Sequence, residues 1–558
     1  MKTKNIRNIV SLVLVTGLVV IGGYAGYRGY KSIRQARLIK QARAYLAKSD
    51  EKRALLCLQR VLNSNSKNVE AARLMAELAG KAGSPATLIW RSRVVELAPA
   101  ALDDRLILAR TALALRDLIS ATNALAGASE SDKKTFSFHN VAGAVAAAAS
   151  QPAQAEAHFL EASRLEPTNP VPRLNLAVVR LQQTNNVQAV AEARATLQQL
   201  SARPEFRCQA LRELVIDAMR YKRNNDALAL STDLVAQTNS LFSDRLLRLE
   251  ILRASQNAAF ATTLAAFQNE AASDPAKIQQ LATWQLLKTG PAYTLAWLET
   301  LPLNLRTNQP AALLSAECRT QIKDWRALQT ALEPQNWAEL DFVRHAFLAR
   351  AARGQDLAAT SKTEWDLAAK AANNRKQGLL MLLQMAGQWT WQSEGEELLW
   401  TIVNRYPEEK WAVPALAQAY YAGGRTRSLM ALYSQLAKAH PADLSLKNNI
   451  AMTALLLDAR ELKPYDLARE VYEKAGTNAA YASTYAFSLY LQEKSAEALK
   501  VIERLKAQEL DNPSIAGYYG LILKATGNAA KARTYFDSAA KGPLLPEEKK
   551  LFDRAKAG

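Results

Sequence analysis

The side chains that could do chemistry are few in this chain, and they are widely spaced. The four histidines stand apart in the sequence: His139, His158, His345 and His440. The three cysteines are too distant from one another to suggest a disulfide framework or a zinc module: Cys57, Cys208 and Cys318. Nucleotide-binding, zinc-protease and serine-hydrolase motifs are absent from the sequence. We therefore expect a protein that is not an enzyme and that uses no metal and no cofactor.

The first recognisable element of the chain is an uncharged apolar segment at 9–27, IVSLVLVTGLVVIGGYAGY. As a helix, its 19 residues would span about 28 Å, close to the hydrocarbon thickness of a bilayer. We expect a short basic tail at 1–8, a single transmembrane helix at 9–27 and a basic juxtamembrane helix at 28–40. The alternative is a signal peptide that is cleaved after Ala25. Basic residues flank the segment on both sides, so the side of the membrane on which the large domain lies stays open.

The net charge of +19 is concentrated at the same end, because residues 1–60 carry 13 basic and two acidic side chains. This distribution favours membrane lipid as a partner, and we expect no nucleic acid. Six basic residues follow the apolar segment at intervals of three: Arg28, Lys31, Arg34, Arg37, Lys40 and Arg43. Steps of three wind around a helix, so these residues form either a collar against anionic headgroups or a solvated helix. Gly22 and Gly26 have the small-residue spacing through which membrane helices pair, which would give a homodimer.

Small and aromatic residues recur at fixed offsets in two segments. In 136–169, four residues follow Gly143 at offsets of 12, 16, 19 and 24: Ala155, Phe159, Ala162 and Pro167. In 513–542, three residues follow Gly520 at offsets of 12, 16 and 19: Ala532, Phe536 and Ala539. These offsets resemble the tetratricopeptide repeat (TPR). The resemblance implies an all-α fold, an α-solenoid of helical hairpins, in which the small residues lie where two helices cross, the aromatic residue fills the space to the next repeat and the proline ends the second helix.

The resemblance is uneven along the chain. We expect an N-terminal TPR array at 41–204, degenerate TPR-like repeats at 205–409 and a C-terminal TPR array at 410–558. Nine of the ten tryptophans lie between 284 and 411. Most should be core residues, but Trp389 and Trp391 are two positions apart, so on a helix one of them would be exposed. Since aromatic faces can stack on sugars, a carbohydrate- or envelope-processing role of this Trp-rich region is the alternative function.

The family offsets also place five positions of the last repeats in a binding groove: Ser483, Phe487, Tyr490, Leu521 and Lys524. Some TPR domains clamp a peptide carboxylate there, but these positions are mostly small or apolar, and an apolar peptide or helix would fit them better. The main hypothesis is a membrane-tethered scaffold that binds protein partners through a helical groove and has no catalysis of its own. The segment at 42–62, ARAYLAKSDEKRALLCLQRVL, also resembles TPR proteins of bacterial surface-sorting and exopolysaccharide systems.

Overall fold

The structure is a computed structural model that describes residues 30–183, 186–372 and 375–557. In these ranges every regular element is a helix, which confirms the all-α prediction for this part of the chain. The expected transmembrane helix at 9–27, with Gly22 and Gly26, lies outside the described residues, as does Arg28. None of the helices within the described ranges is both long enough and apolar enough to cross a bilayer.

The chain divides into two compact units at Leu281 and Ala282. In the first unit the described helices are α1 (30–47), α2 (Glu51–Ser64), α3 (Val69–Lys81), α4 (Ala86–Leu97), α5 (Leu102–Ala114), α6 (Leu118–Ala126), α7 (Phe136–Ala148), α8 (Pro152–Leu165), α9 (Pro170–Leu181), α10 (Val187–Ser201), α11 (Arg207–Arg220), α12 (Asn224–Ala236), α13 (Phe242–Ala254) and α14 (Phe260–Ala271). Helix α15 (Pro275–Lys288) contains the division. A short 3-10 helix covers Asp132–Lys134.

In the second unit the described helices are α16 (Pro291–Glu299), α17 (Leu303–Arg306), α18 (Ala311–Ile322), α19 (Trp325–Leu332), α20 (Asp341–Gly354), α21 (Ala358–Ala372), α22 (Lys376–Gln388), α23 (Gln392–Arg405), α24 (Ala412–Ala422), α25 (Thr426–Ala439), α26 (Leu444–Leu457), α27 (Pro464–Ala475), α28 (Ala479–Leu491), α29 (Ser495–Ile502), α30 (Ala507–Leu510), α31 (Pro513–Ala525), α32 (Ala529–Ala539) and α33 (Pro546–Ala557). Two 3-10 helices cover Ala338–Leu340 and Arg460–Leu462.

Consecutive helices pack as hairpins, and one residue of left-handed backbone marks the turn inside each hairpin whose turn is fully described. In the first unit these residues are Ser49, Gly83, Arg116, Ser150, Lys222 and Gln256. In the second unit they are Gly290, Lys323, Asp356, Thr390, Gly424, Asp458, Glu493 and Gly527. Successive members are 33 to 35 residues apart, except between Ser150 and Lys222, an interval that contains two residues outside the described ranges. This is the period of the tetratricopeptide repeat, and it continues through 205–409.

Local sequence explains where many of the hairpins begin. An asparagine precedes α9, α28 and α31, and its side chain accepts a hydrogen bond from a backbone N–H of the first turn, as Asn169 does from Val171 at 3.1 Å. Such a cap satisfies one of the amides that a helix leaves without a partner. Proline follows the cap at Pro170 and Pro513, where its missing N–H costs nothing. The helix starts are therefore encoded locally, without tertiary contacts.

The first described helix belongs to the repeat array. Gln35, Ile39, Ala42 and Leu46 form a buried stripe on α1, and the three apolar members pack into one core with α2 and α3. Because α1 runs through residue 40 without a break, the boundary expected between 28–40 and 41–204 falls inside a helix. The boundaries expected after residues 204 and 409 fall in the connections that precede α11 and α24.

Candidate protein-binding groove

The two predicted repeat-packing glycines each lie directly beneath an aromatic ring of the next helix. A Cβ atom on Gly143 would lie 2.6 Å from the ring of Phe159, so glycine is needed for α8 to approach α7. Phe159 also packs with Ala155 of its own helix and with Leu176 and Val179 of α9. The glycine therefore lies under the aromatic ring, and the same ring reaches the next hairpin.

The last hairpin repeats this arrangement. A Cβ atom on Gly520 would lie 2.9 Å from the ring of Phe536 and 3.2 Å from the backbone oxygen of Ala532. Ala162 and Ala539 occupy equivalent buried positions of the two hairpins. Pro167 is exposed in the turn just after α8 ends at Leu165.

The five groove positions expected from the sequence are not on an open surface. Ser483, Phe487 and Leu521 are almost wholly buried, and Tyr490 is half-buried, with its ring stacked on that of Phe487 at a centroid distance of 6.4 Å. The Lys524 ammonium donates to the backbone oxygen of Ala555 in α33. Of the five positions, Ser483 lines the cavity described below, and the other four do not. These side chains are covered because neighbouring helices pack on them and α33 lies across α31.

Helix α33 connects the end of the chain to a hairpin more than 120 residues earlier. Glu548 accepts hydrogen bonds from the hydroxyl of Tyr518 on α31 and, at 3.3 Å, from that of Tyr421 on α24. Glu547 accepts from the hydroxyl of Thr426, the first residue of α25. Burial, together with the carboxylate of Glu548, raises the pKa of both Tyr518 and Tyr421, which holds these hydroxyls protonated as donors.

A cavity of about 210 Å³ remains beside α33, between α24–α26, α28 and α31. Asn448 and Ser483 line it and are 6% and 2% exposed, yet the Oδ1 atom of Asn448 and the Oγ atom of Ser483 have no hydrogen-bond partner. The half-buried rings of Tyr421 and Tyr433 line the same cavity. Buried polar atoms without a partner cost free energy unless a ligand or water supplies one. The cavity is therefore a candidate site for a ligand that brings hydrogen-bonding groups.

The tryptophans of the middle region mostly form core contacts. Trp389 and Trp391 lie in the turn between α22 and α23, not on a helix, and Thr390 between them has φ +57°. This turn brings their ring centroids to 5.1 Å, and Trp365 packs against Trp391 at 5.3 Å. The expectation that one of the pair would be exposed is therefore wrong, because it assumed helical geometry: Trp391 is buried and Trp389 is half-buried. Trp411, by contrast, is 43% exposed.

A second cavity, of about 230 Å³, lies between α18, α20 and α22. One edge of it is formed by Trp389, with Met381 and Met385 beside it, and Glu317 supplies its single carboxylate. A sugar-processing site needs a pair of carboxylates about the substrate. This lining fits an apolar ligand better than a carbohydrate.

Two histidines contact each other, and a third, His345, lies 2.6 Å from a carboxylate oxygen of Glu364 and 3.3 Å from one of Asp341. The Nδ1 atoms of His139 on α7 and His158 on α8 are 2.9 Å apart within one hairpin. Burial, with the neighbouring His139 adding to it, lowers the pKa of His158 below 6.5. The three cysteines are buried and unpaired, and in the described ranges no three His, Cys, Asp or Glu side chains converge as a group that could hold a metal ion.

No protein-family model matches the chain, and no curated protein matches it. Among solved structures it is similar to Naa15/Naa10 bound to HypK-THB, at 14% identity and a TM-score of 0.31, over 94% of this chain and 77% of that one. It is similar to the APC/C hetero-tetramer Cut9–Hcn1, at 14% identity and a TM-score of 0.29, over 94% and 96%. It is also similar to PilW, a widely conserved type IV pilus biogenesis factor, at 19% identity and a TM-score of 0.25, over 42% and 92%. The repeat architecture itself rests on the helix order, hairpin contacts and 33- to 35-residue period of this chain.

Proposed function

We propose that this chain is a membrane-tethered scaffold that binds a protein partner in the groove beside α33 and catalyses no reaction of its own. The observation that carries the proposal is the pair of buried atoms without hydrogen-bond partners, Asn448 Oδ1 and Ser483 Oγ, in one cavity. A peptide backbone offers both of the groups they lack. Both atoms are shielded from solvent in this structure, so each side chain has to rotate slightly toward the cavity to reach a ligand. The peptide N–H would then donate to Asn448 Oδ1, and the peptide carbonyl would accept from the hydroxyl of Ser483.

The lining also defines the chemistry of the partner segment. Glu548 is the one charged side chain of the cavity, and it already accepts hydrogen bonds from Tyr421 and Tyr518. The neighbouring Lys447 pairs with Glu470 at 2.7 Å, so it is not directed to a ligand. An uncharged segment with small or apolar side chains therefore matches the site, and a C-terminal carboxylate does not.

Site-specific crosslinking in native membranes tests this proposal. A photo-crosslinking amino acid replaces Asn449, which lines the cavity and is half-buried, in an otherwise unchanged full-length chain. We expect a discrete protein adduct that is lost when Asn448→Leu is added. The matched control places the same amino acid at Glu473, an exposed position of α27 outside the cavity. The same adduct from both positions, or one that persists in the Asn448→Leu chain, would contradict binding in this groove.

The tether is proposed from the sequence at 9–27, which is uncharged and long enough to cross a bilayer, and from the basic residues on either side. The resemblance of 42–62 to repeat proteins of bacterial surface-sorting and exopolysaccharide systems supports a partner in such a membrane system. Alkaline extraction of membranes should leave the full chain in the pellet and release a Leu14→Lys, Leu18→Lys variant. Release of the unchanged chain would contradict an uncleaved anchor. Protease accessibility in intact cells then decides on which side residues 41–558 lie.

A further inference from the structure

Another cavity lies at the start of the described chain, between α1 and α2. Its volume is about 370 Å³, and three cations line it: Lys31 and Arg34 from α1 and Arg60 from α2. Asn63 of α2 also lines the cavity. The sequence placed Lys31 and Arg34 in a ring of six basic residues, but only the fold adds Arg60, which is 26 positions further along, to the same space.

These three cations have no carboxylate partner in the described chain, and neither do Arg37 and Lys40 on α1, whereas two other cations of the hairpin do. Arg43, on the same helix, pairs with Glu70 at 2.7 Å, and Arg53 on α2 pairs with Asp50 at 3.4 Å. No acidic residue occurs before Asp50, at the opposite end of the α1–α2 hairpin. Three like charges around one cavity repel one another unless a counter-ion is present. The cavity is therefore electrostatically suited to an anion.

The floor of the cavity is held in place by hydrogen bonds that do not involve the cations. Gln35 is 9% exposed, and its Nε2 atom donates to Ser64 Oγ at 3.1 Å. Its Oε1 atom accepts from Asn68 Nδ2 at 3.3 Å, and Ser64 Oγ donates to the backbone oxygen of Val61 at 2.9 Å. These bonds fix α1 against α2 in register. Arg34 and Arg60 are exposed and make no structural contact of this kind, so they can be directed to a ligand.

The surroundings of the cavity indicate where its anion comes from. Tyr30 and Ile33, on the same end of α1, are 65% and 72% exposed. Tyrosine and apolar side chains next to arginine and lysine are the composition that proteins place at the headgroup level of a membrane. Tyr30 follows the apolar segment 9–27 by three residues. Guanidinium groups bind phosphate oxygens in pairs of parallel hydrogen bonds.

We infer that this cavity binds the phosphate of one anionic phospholipid headgroup, through Arg34 and Arg60 with Lys31 and Asn63 in support. The lipid source rests on the proposed membrane tether, whereas affinity for phosphate rests on the cavity alone. The site differs from a general basic collar because it joins two helices and excludes Arg37 and Lys40, which lie on α1 outside the cavity. Occupancy would hold the first hairpin of the array at a set position on the membrane surface.

Native mass spectrometry of the full chain in nonionic detergent tests the inference by counting retained lipid. We expect one phosphatidylglycerol per chain and no retained phosphatidylcholine. The Arg34→Gln, Arg60→Gln variant should bind phosphatidylglycerol about tenfold or more weakly, since two charge-assisted contacts are lost. The matched control, Arg37→Gln with Lys40→Gln, removes the same charge from the same end of the protein and should change affinity less than about twofold.

Equal weakening in both variants would overturn a defined site in favour of diffuse attraction, and no retained lipid in the unchanged chain would also overturn it. Displacement of the lipid by an equal concentration of inorganic phosphate would overturn the lipid headgroup as the ligand. Alkaline extraction of the same variants separates the two proposals. If the tether is wrong, the unchanged chain and the variants leave the membrane together. If only the headgroup site is wrong, all of them stay in the pellet, and the Arg34→Gln, Arg60→Gln variant binds lipid no more weakly than the control variant.

Discussion

The ring of Phe552 on α33 lies against the backbone of Gly517 on α31, at the place where any Cβ atom on Gly517 would overlap it. Phe552 is 4% exposed, and its ring also meets that of Tyr518, on which it packs edge-on at 5.4 Å. This contact, with the hydrogen bonds of Glu548, attaches the last helix to the groove. A substitution of Phe552 tests this attachment.

We expect Phe552→Ala to release α33 while the hairpins beneath it stay folded. Loss of this ring should lower the free energy that holds α33 in place by about 3–5 kcal/mol. A helix of 12 residues is only marginally stable without tertiary contacts, so α33 should then unfold. Hydrogen exchange should show lost protection over 546–557, with α28 and α31 retaining most of theirs. Asp553→Ala, at an exposed position of the same helix, is the control and should leave protection unchanged. Unfolding of the entire second unit by Phe552→Ala would show that α33 is not separable.

A second prediction concerns the crossing of α7 and α8. Gly143→Ala should destabilise the first unit by about 1–3 kcal/mol, because its Cβ atom would overlap the ring of Phe159. Phe159→Ala should cost about 3–5 kcal/mol by opening a cavity toward α9. The double variant should cost less than the sum of the two, since the overlap disappears with the ring. Additive costs in urea unfolding would mean that the two residues do not share this contact.

Ala155→Leu is a separate probe of the same hairpin. Ala155 is fully buried, so the larger side chain should overpack the α7–α8 contact by about 1–3 kcal/mol. Repeats couple mainly to their neighbours, so lost hydrogen-exchange protection should centre on 136–181 and spare 410–558. A change of neither stability nor protection would show that the repeat register is misassigned.

The histidine pair predicts a pH-dependent stability for that hairpin. The pKa of His158 is lowered from 6.5 by burial first and by His139 second, so the unfolded chain binds the proton more tightly than the folded chain. The stabilisation is complete above about pH 6.5 and is lost as pH falls through the lowered pKa. Hydrogen exchange over 136–165 should become less protected on acidification from neutral pH. His158→Gln should remove this dependence, and His440→Gln, at an exposed position, should not.

The Trp-rich region predicts a contrast between a core and a surface tryptophan. Trp391 is 5% exposed and packs against Trp365 and Trp389, so Trp391→Ala should cost about 3–5 kcal/mol. Trp411→Ala should cost clearly less than Trp391→Ala, because the Trp411 side chain is 43% exposed. Soluble oligosaccharides should leave the tryptophan fluorescence unchanged. A saturable fluorescence change that Trp391→Ala or Trp389→Ala abolishes would revive the carbohydrate-processing alternative.

The repeat can be recognised in the sequence where glycine, alanine and aromatic residues recur at fixed offsets. Gly143 with Phe159 and Gly520 with Phe536 have to occur at a fixed offset, because a close helix crossing tolerates no Cβ atom beneath the ring. Between 205 and 409 other residues fill the crossings. There the period survives only in the backbone, at turn residues such as Lys222, Lys323 and Asp356. Left-handed turns accept several residue types at modest cost, so they leave little trace in the sequence.

By itself, the sequence determined the all-helical repeat character of the chain, the helix starts that asparagine and proline encode, the apolar segment at 9–27 and the absence of familiar catalytic motifs. These features depend on neighbours within about one turn or one hairpin, and local spacing records them. Only the tertiary structure decided that α33 packs on α31, that Trp389 meets Trp391 and that Arg60 joins Lys31 and Arg34. Each of these is a contact between elements that packing brings together. The position of one element against another depends on burial over many residues, and local sequence spacing does not record it.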